Sequence, residues 1–350
     1  MKEATVSRAV LDFALPSVLE RGTPPEAGGG RREDVRLMVG HRSTQHVIDD
    51  RFVSLPAYVE EGDIVVINTS ATLPAALPAI AVDGEQLVVH LSTPLPGGLW
   101  AVEVRDPAAS GSRQRASVEP GLLHLPGEGT LRLFAPHDTV PRLWLARLDY
   151  PGDLHTYLEL HGGPIRYGYA DADWPLAAYQ TVYAHDPGSA EMPSAGRPLT
   201  PDLITMMVAK GVAVLPIVLH AGVASLEDGE HPPAERFRVP EVTAAAANAL
   251  KAAGGRLIAV GTTVVRALET VADRQGQLHP GEGYTELVID HRRAPRAVDG
   301  LLTGWHEPRA SHLHLTESVA GRPLMESMYR RAIESGYTWH EFGDSCLILP

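Results

Sequence analysis

Leu257-Ile258-Ala259-Val260-Gly261-Thr262-Thr263-Val264-Val265-Arg266-Ala267-Leu268-Glu269 passes from a four-residue apolar run, through a glycine and two threonines, into a segment of helical character. A short apolar run bounded by turn residues reads as a buried strand. The glycine makes the turn, and the helix is expected from Val264 to about Ala272. Just upstream, Pro240 to Ala253 is alanine-rich, reads as a helix and ends at Gly254-Gly255. Before it, Val212 to Leu219 reads as a strand that delivers His220 at its C-terminal end. Pro201 to Lys210 is amphipathic, with Thr200 as its N-cap and Gly211 as its stop. Strands alternating with helices predict a mostly parallel α/β sheet or a distorted barrel. Ligands in such folds bind beyond the C-terminal ends of the strands, where His220 and Gly261 to Thr263 fall.

Two further strands are expected nearer the N-terminus. One is the last few residues of Arg31 to Val39, which follows the loop Gly28-Gly29-Gly30, and the other is Ile64 to Ile67, after the turn Glu61-Gly62-Asp63. From about Leu73 to Leu148 the texture changes. Short apolar runs (Leu87 to Leu91, Leu99 to Val104, Leu131 to Phe134) alternate with Pro- and Gly-rich turns, and no long helical period is present. This predicts a small, barrel-like all-β domain over residues 73–149, inserted into a main α/β domain made of 1–72 and 150–350.

Composition bounds the function classes. With 44% hydrophobic and 21% charged residues, the chain reads as an ordinary globular protein. No apolar run approaches eighteen residues and Met1 to Phe13 lacks a signal-peptide core, so a cytoplasmic protein without membrane attachment is expected. The lone cysteine, Cys346, excludes an internal disulfide and reads as a small buried hydrophobe. Thirty basic residues against 43 acidic ones give a net charge of −13. A nucleic-acid binder usually carries a basic footprint, which here would have to be a local arginine patch.

Read from the residues alone, Gly261 to Arg266 offers free backbone N–H groups, two hydroxyls and an arginine one turn further on, a set suited to a carboxylate or phosphate. The plainer alternative is a glycine turn with a threonine helix cap. Among 16 histidines no zinc-type pairing occurs; His312 and His314 read as one face of a strand-like segment, and no metal is expected. There is no G-x-S-x-G elbow, P-loop or G-x-G-x-x-G after a strand. The residues by themselves define a soluble α/β enzyme with an inserted β module.

Several segments, in order along the chain, resemble the S-adenosylmethionine:tRNA ribosyltransferase-isomerases of queuosine biosynthesis. Tyr179-Gln180-Thr181-Val182-Tyr183 matches that family's Y-Q-T-V-Y, and Gly261 to Glu269 matches its G-T-T-x-V-R-x-L-E. Leu219-His220-Ala221-Gly222 is similar to L-H-V-G, Phe342-Gly343-Asp344 to F-G-D, and Gly62 to Asn68 to G-D-x-L-V-x-N. Phe13 to Pro16 and Arg31 to Val39 resemble the family's opening. The resemblance implies S-adenosylmethionine as ribosyl donor. The ribosyl group would be transferred and rearranged onto a deazaguanine base of queuosine-precursor tRNA, releasing adenine and methionine.

It also implies roles. His220 or Glu235 is the expected base, with His306 assisting protonation of leaving group or acceptor. Thr262, Thr263 and Arg266, together with Gly261, are expected to hold the methionine carboxylate. Tyr179 and Tyr183, with Gln180 between them, are expected to offer π faces to the sulfonium.

The departures are as specific as the matches. N-x-T-R-V-x-x-A-R becomes Asn68 to Ala76, with Ala71 and Ala76 at the two arginine positions. P-T-A-G-L-H-F becomes Pro193 to Leu199 and loses its histidine. P-L-P-P-Y-I is replaced by Gly163 to Tyr167, and H-x-M-H-x-E survives only as His231 and Glu235. N-F-H-L-P-x-S-T-L becomes Gly304-Trp305-His306-Glu307-Pro308-Arg309-Ala310-Ser311-His312. Three readings therefore stand: the family reaction on tRNA, an S-adenosylmethionine enzyme with a non-tRNA acceptor, and a non-catalytic binding paralogue. Either a monomer or a homodimer is compatible with each.

Overall fold

A computed structural model describes residues 11–109, 111–223 and 233–350. Residue His231 of the partly kept motif lies outside the described residues. The large sheet has nine strands. Its centre is parallel: Ala213–Leu219, Ile64–Asn68, Leu257–Val260 and Gly300–Gly304 lie side by side. Ser345–Leu349 then pairs antiparallel to Gly300–Gly304, and Arg36–His41 runs parallel to it before turning into His46–Arg51. The other edge is closed by the antiparallel strands Glu235–Val239 and Gly281–Thr285.

Parallel strands buried on both faces need continuous apolar sequence, which Ile64 to Ile67 and Leu257 to Val260 supply. Their side chains alternate between two cores. Ile64, Val66, Leu257 and Ala259 pack with the helices Glu241–Ala252, Thr262–Val271, His312–Ala320 and Arg322–Glu334. Val65, Ile67, Ile258 and Val260 pack with Pro201–Ala209 and Leu55–Tyr58 on the opposite face. The helix expected from Pro201 begins on Thr200, whose side chain accepts from Leu203 N at 3.4 Å. Cys346 is buried in the first of these cores, and burial pushes its thiol up to about 12.

The expected β module is a separate sheet of seven strands. Six of them close on themselves where Leu143–Asp149 pairs with Leu99–Pro107. Closure removes the sheet's exposed edges. The barrel core also takes in the helix Leu154–His161, Ile165 and Tyr167. Among the described residues no helix is long and apolar enough to cross a membrane.

One sequence expectation fails. His312 and His314 lie in the helix His312–Ala320, not in a strand. Alternation over three residues is too short to distinguish the two periods, and on a helix positions two apart diverge.

Asn68 ends the central strand and extends its pairing with a side chain. Its Nδ2 donates to Leu219 O at 2.8 Å, and its Oδ1 accepts from Leu219 N at 2.9 Å and Ser70 N at 3.1 Å. Asn68→Ala strands three buried backbone groups and is expected to cost about 2–4 kcal/mol, read as a lower urea midpoint against wild type.

Candidate active site

The C-terminal ends of the parallel strands face the barrel across a cavity of about 780 Å³. Gly261, Thr262 and Thr263 line it from the sheet side, as do His306 and His312; Glu103 and Arg105 line it from the barrel. Gly261 is the N-cap of the helix Thr262–Val271 and sits at φ 98°, where side chains are strained. Its N–H donates to Leu302 O at 2.8 Å, and its carbonyl accepts from Val264 N at 3.1 Å and Val265 N at 3.3 Å. No threonine side chain caps this helix, so the plainer cap reading of Thr262 and Thr263 is not realised.

His306 follows the strand Gly300–Gly304. Its Nε2 shares a 3.2 Å hydrogen bond with Thr303 Oγ1, and its ring stacks on His312 at 4.9 Å with 9° between planes. The backbone holds it from both sides: His306 N donates to Tyr329 Oη at 3.3 Å and His306 O accepts from Trp339 Nε1 at 3.0 Å. Burial, then the neighbouring His312, pushes the His306 imidazole well below its ordinary value of 6.5. Burial, then the charge of Arg266, lowers His312 to about 4. Two neutral imidazoles thus share the cavity wall near pH 7.

The other expected residues lie behind this surface. Glu235 and Arg266 form a buried ion pair, in which Arg266 Nη1 donates to Glu235 Oε2. Arg266 also donates from Nε to Leu287 O at 3.1 Å and from Nη2 to Thr285 O at 3.2 Å, while Glu235 Oε1 accepts from Gly222 N at 2.8 Å. The guanidinium is thereby engaged within the protein rather than aimed into the cavity. His220 is half-buried, its Nδ1 2.8 Å from Ser70 Oγ, which in turn shares a 2.6 Å hydrogen bond with Ser189 Oγ. Burial, then Arg236, lowers its pKa. Neither His220 nor Glu235 lines the cavity.

Tyr179 packs on Phe342 at 5.2 Å, and its carbonyl accepts from Thr72 Oγ1 at 2.7 Å. Gln180 clasps the Thr72 backbone in both directions, at 2.9 and 2.8 Å. Tyr183 packs with the core that holds Val260. Asp344 accepts from Arg36 N at 2.7 Å and Thr338 N at 2.8 Å, joining two chain segments.

Two groups of wall residues were given no role at the site by the sequence reading. In the barrel, Arg105 donates from Nη1 to Glu103 Oε1 at 2.8 Å and from Nε to Ser112 Oγ at 2.9 Å. Burial alone would raise the Glu103 carboxyl, but His90, Arg142 and Arg105 outweigh it and hold it at about 2. No sequence signal brings these residues together with the sheet, because barrel closure and docking create the juxtaposition. His312 and Glu307 did carry a signal. Both replace leucines of the N-F-H-L-P-x-S-T-L pattern with ionisable groups, and both line the cavity.

Sheet, barrel and cavity together define an α/β protein with a ligand-sized site at its strand ends, walled on one side by an inserted β-barrel. The sequence profile of the family described as queuosine biosynthesis protein matches residues 9–348. An S-adenosylmethionine:tRNA ribosyltransferase-isomerase of Symbiobacterium thermophilum is 35% identical, over 97% of this chain and 98% of its own length. One from Thermus thermophilus is 34% identical with the same coverage. The crystal structure of an S-adenosylmethionine tRNA ribosyltransferase from Thermotoga maritima matches with a TM-score of 0.55 and 28% identity, over 97% of this chain and 99% of that one. The chain belongs to the queuosine biosynthesis protein family.

Removing one partner of a buried ion pair leaves the other charge uncompensated. Glu235→Ala is expected to destabilise the protein by about 3–5 kcal/mol, and adding Arg266→Ala should recover part of that loss. Thermal unfolding of both single variants and the double variant measures the coupling.

Proposed function

We propose that this protein transfers and isomerises the ribosyl group of S-adenosylmethionine onto the deazaguanine base of queuosine-precursor tRNA, with release of adenine and methionine. The observation that carries the reading is the cavity, in which the family's Gly261-Thr262-Thr263 motif and His306 face the same space. The cavity's volume falls within the range of small-molecule sites. On this reading the amide groups and hydroxyls of Thr262 and Thr263, at the start of a ten-residue helix, bind the methionine carboxylate. Bound S-adenosylmethionine supplies a sulfonium that acidifies the adjacent C5′ hydrogens. His306, its ring oriented by the hydrogen bond between Nε2 and Thr303, accepts the C5′ proton and returns it to the leaving group or acceptor. Its lowered pKa keeps the ring in the neutral form that accepts a proton, while making it a weaker base than an ordinary imidazole.

The buried pair Glu235–Arg266 acts by position, holding the helix that carries the motif. Residues 1–72 and 150–350 carry the reacting groups, and the barrel of 73–149 forms the opposing wall. Substrate tRNA is the proposed macromolecular partner, in a chain of net charge −13.

Incubation with S-adenosylmethionine and queuosine-precursor tRNA, followed by mass spectrometry, tests the proposal. The expected result is adenine and methionine released only with that tRNA, and a matching mass gain on it. Cofactor turnover without tRNA modification, or no turnover at all, sinks it. His306→Ala should lower kcat/KM at least about 100-fold while S-adenosylmethionine binding stays within about threefold. The sign of the pH effect follows from the lowered pKa. The neutral base persists as pH falls below 6.5 and is lost only as pH drops through the depressed His306 value. The acid limb of kcat/KM should therefore lie below pH 6.5 and disappear in His306→Ala.

A further inference from the structure

Three neighbouring side chains, of which Glu307 and His340 line the cavity, come from distant parts of the sequence and have no place in the reaction above. Glu20 follows the short turn Ser17–Leu19, Glu307 follows the strand Gly300–Gly304, and His340 precedes the strand Ser345–Leu349. One donor atom from each lies within 4.8 Å of the other two. His340 Nε2 is 3.5 Å from Glu20 Oε1, and His340 Nδ1 is 3.8 Å from Glu307 Oε1.

Two carboxylates beside a histidine are common on protein surfaces, so their spacing alone decides nothing. The state of His340 does decide. Its side chain is 7% exposed, and its Nε2 is sealed from solvent with no hydrogen-bond partner. A buried polar atom left so has lost its water, and the Glu20 oxygen 3.5 Å away makes no hydrogen bond with it, a cost that a ligand between the two would remove. The ring is also fixed. It stacks face to face on Tyr169 at 3.7 Å with 5° between planes, and the residue sits at φ 72°, in the left-handed region. A non-glycine residue there is strained and persists only where its surroundings over-determine it.

Those surroundings form a frame around Trp339, which is fully buried. Trp339 N donates to Leu19 O at 2.8 Å and Arg21 N donates to Trp339 O at 3.4 Å, which fixes the chain on both sides of Glu20. Trp339 Nε1 donates to His306 O at 3.0 Å, which fixes the chain beside Glu307. One buried tryptophan thus holds all three ligand-bearing segments in register, as a preorganised binding site requires.

The geometry points to a divalent-cation site formed by Glu20, Glu307 and His340, suited to zinc or manganese. One imidazole nitrogen and two carboxylate oxygens are donors that both ions accept. Zinc bonds of roughly 2.0–2.2 Å give a tetrahedral edge of about 3.4 Å, close to the 3.5 Å between His340 Nε2 and Glu20 Oε1. The Glu307 side chain, 57% exposed, has the freedom to swing its oxygen onto the same ion. Three protein ligands leave a coordination position open towards the cavity for water or an anionic oxygen of a substrate. Glu307 replaces a leucine of the family pattern, so the site belongs to this chain's departures from that pattern.

Zinc binding to the chelator-stripped full-length protein, measured by competition with a chromophoric chelator, tests the site without any substrate. Its outcome is therefore separate from that of the activity assay. One equivalent should bind with micromolar or tighter affinity, and Glu307→Leu and His340→Gln should each weaken that equivalent at least about tenfold. Glu307→Leu changes an exposed side chain and keeps the test valid should His340→Gln not fold. Manganese titrated in place of zinc should bind more weakly at the same residues. No stoichiometric binding by wild type, or an undiminished equivalent in folded Glu307→Leu, overturns the inference.

Discussion

Glu235 and Arg266 meet inside the protein, where neither charge has water to turn to. The cost of burying both is offset only because their remaining groups are engaged as well: Arg266 reaches two carbonyls, and Glu235 receives the Gly222 amide. The pair connects three parts of the site. It clamps the helix Thr262–Val271 to the antiparallel edge formed by Glu235–Val239 and Gly281–Thr285. It fixes the turn at Gly222, just beyond His220 and Ala221 at the end of the strand Ala213–Leu219. The charge of Arg266 also adds to burial, the larger cause, in lowering the pKa of His312. The position of the Gly261-Thr262-Thr263 corner depends on this pair, and burial with a smaller contribution from Arg266 keeps His312 neutral.

A second constraint comes from the barrel. Its strands close on themselves, which leaves its outer surface free to dock on the sheet without exposing an edge. Glu103 and Arg105, at the barrel's wall of the cavity, pair with each other inside a cluster that includes His90, Arg142 and Ser112. The cavity therefore has one wall of neutral imidazoles and backbone amides, and a facing wall on which Arg105 and Arg142 both pair with the Glu103 carboxylate. A cationic sulfonium does not meet the Arg266 guanidinium directly, because Arg266 is turned inward onto Glu235 and does not line the cavity.

Much of the fold was legible in the sequence because its signals are local. Short apolar runs ending at a glycine or a polar residue named the parallel strands, and Leu257–Val260 has the expected bounds. The change of texture after Leu73 revealed the β module, since strand length and turn spacing differ sharply between the two architectures. What stayed hidden is what folding alone creates. Nothing in the spacing of Glu103, Thr262 and His306 says that they share a cavity. Nor does any local pattern reveal that Arg266 turns inward to a carboxylate 31 positions away. His312 was misread as part of a strand because alternation over three residues is compatible with either period.

The motif residues divide by what holds them. Gln180, Tyr183, Glu269 and Asp344 match the family pattern, and each is engaged inward. Glu269, for example, accepts the amides of Arg296 at 2.9 Å, Ala297 at 2.8 Å and Val298 at 3.2 Å. A side chain that satisfies several buried amides at once tolerates no replacement, because each lost bond leaves a desolvated group behind. Glu307 and His312 depart from the pattern and stand on the cavity wall, where a new side chain has open space beside it. The physical cost of substitution is thus highest in the scaffold and lowest in the wall. Matching letters therefore identify the fold and its reaction class, and the mismatched letters at the wall are where this chain's own chemistry is set.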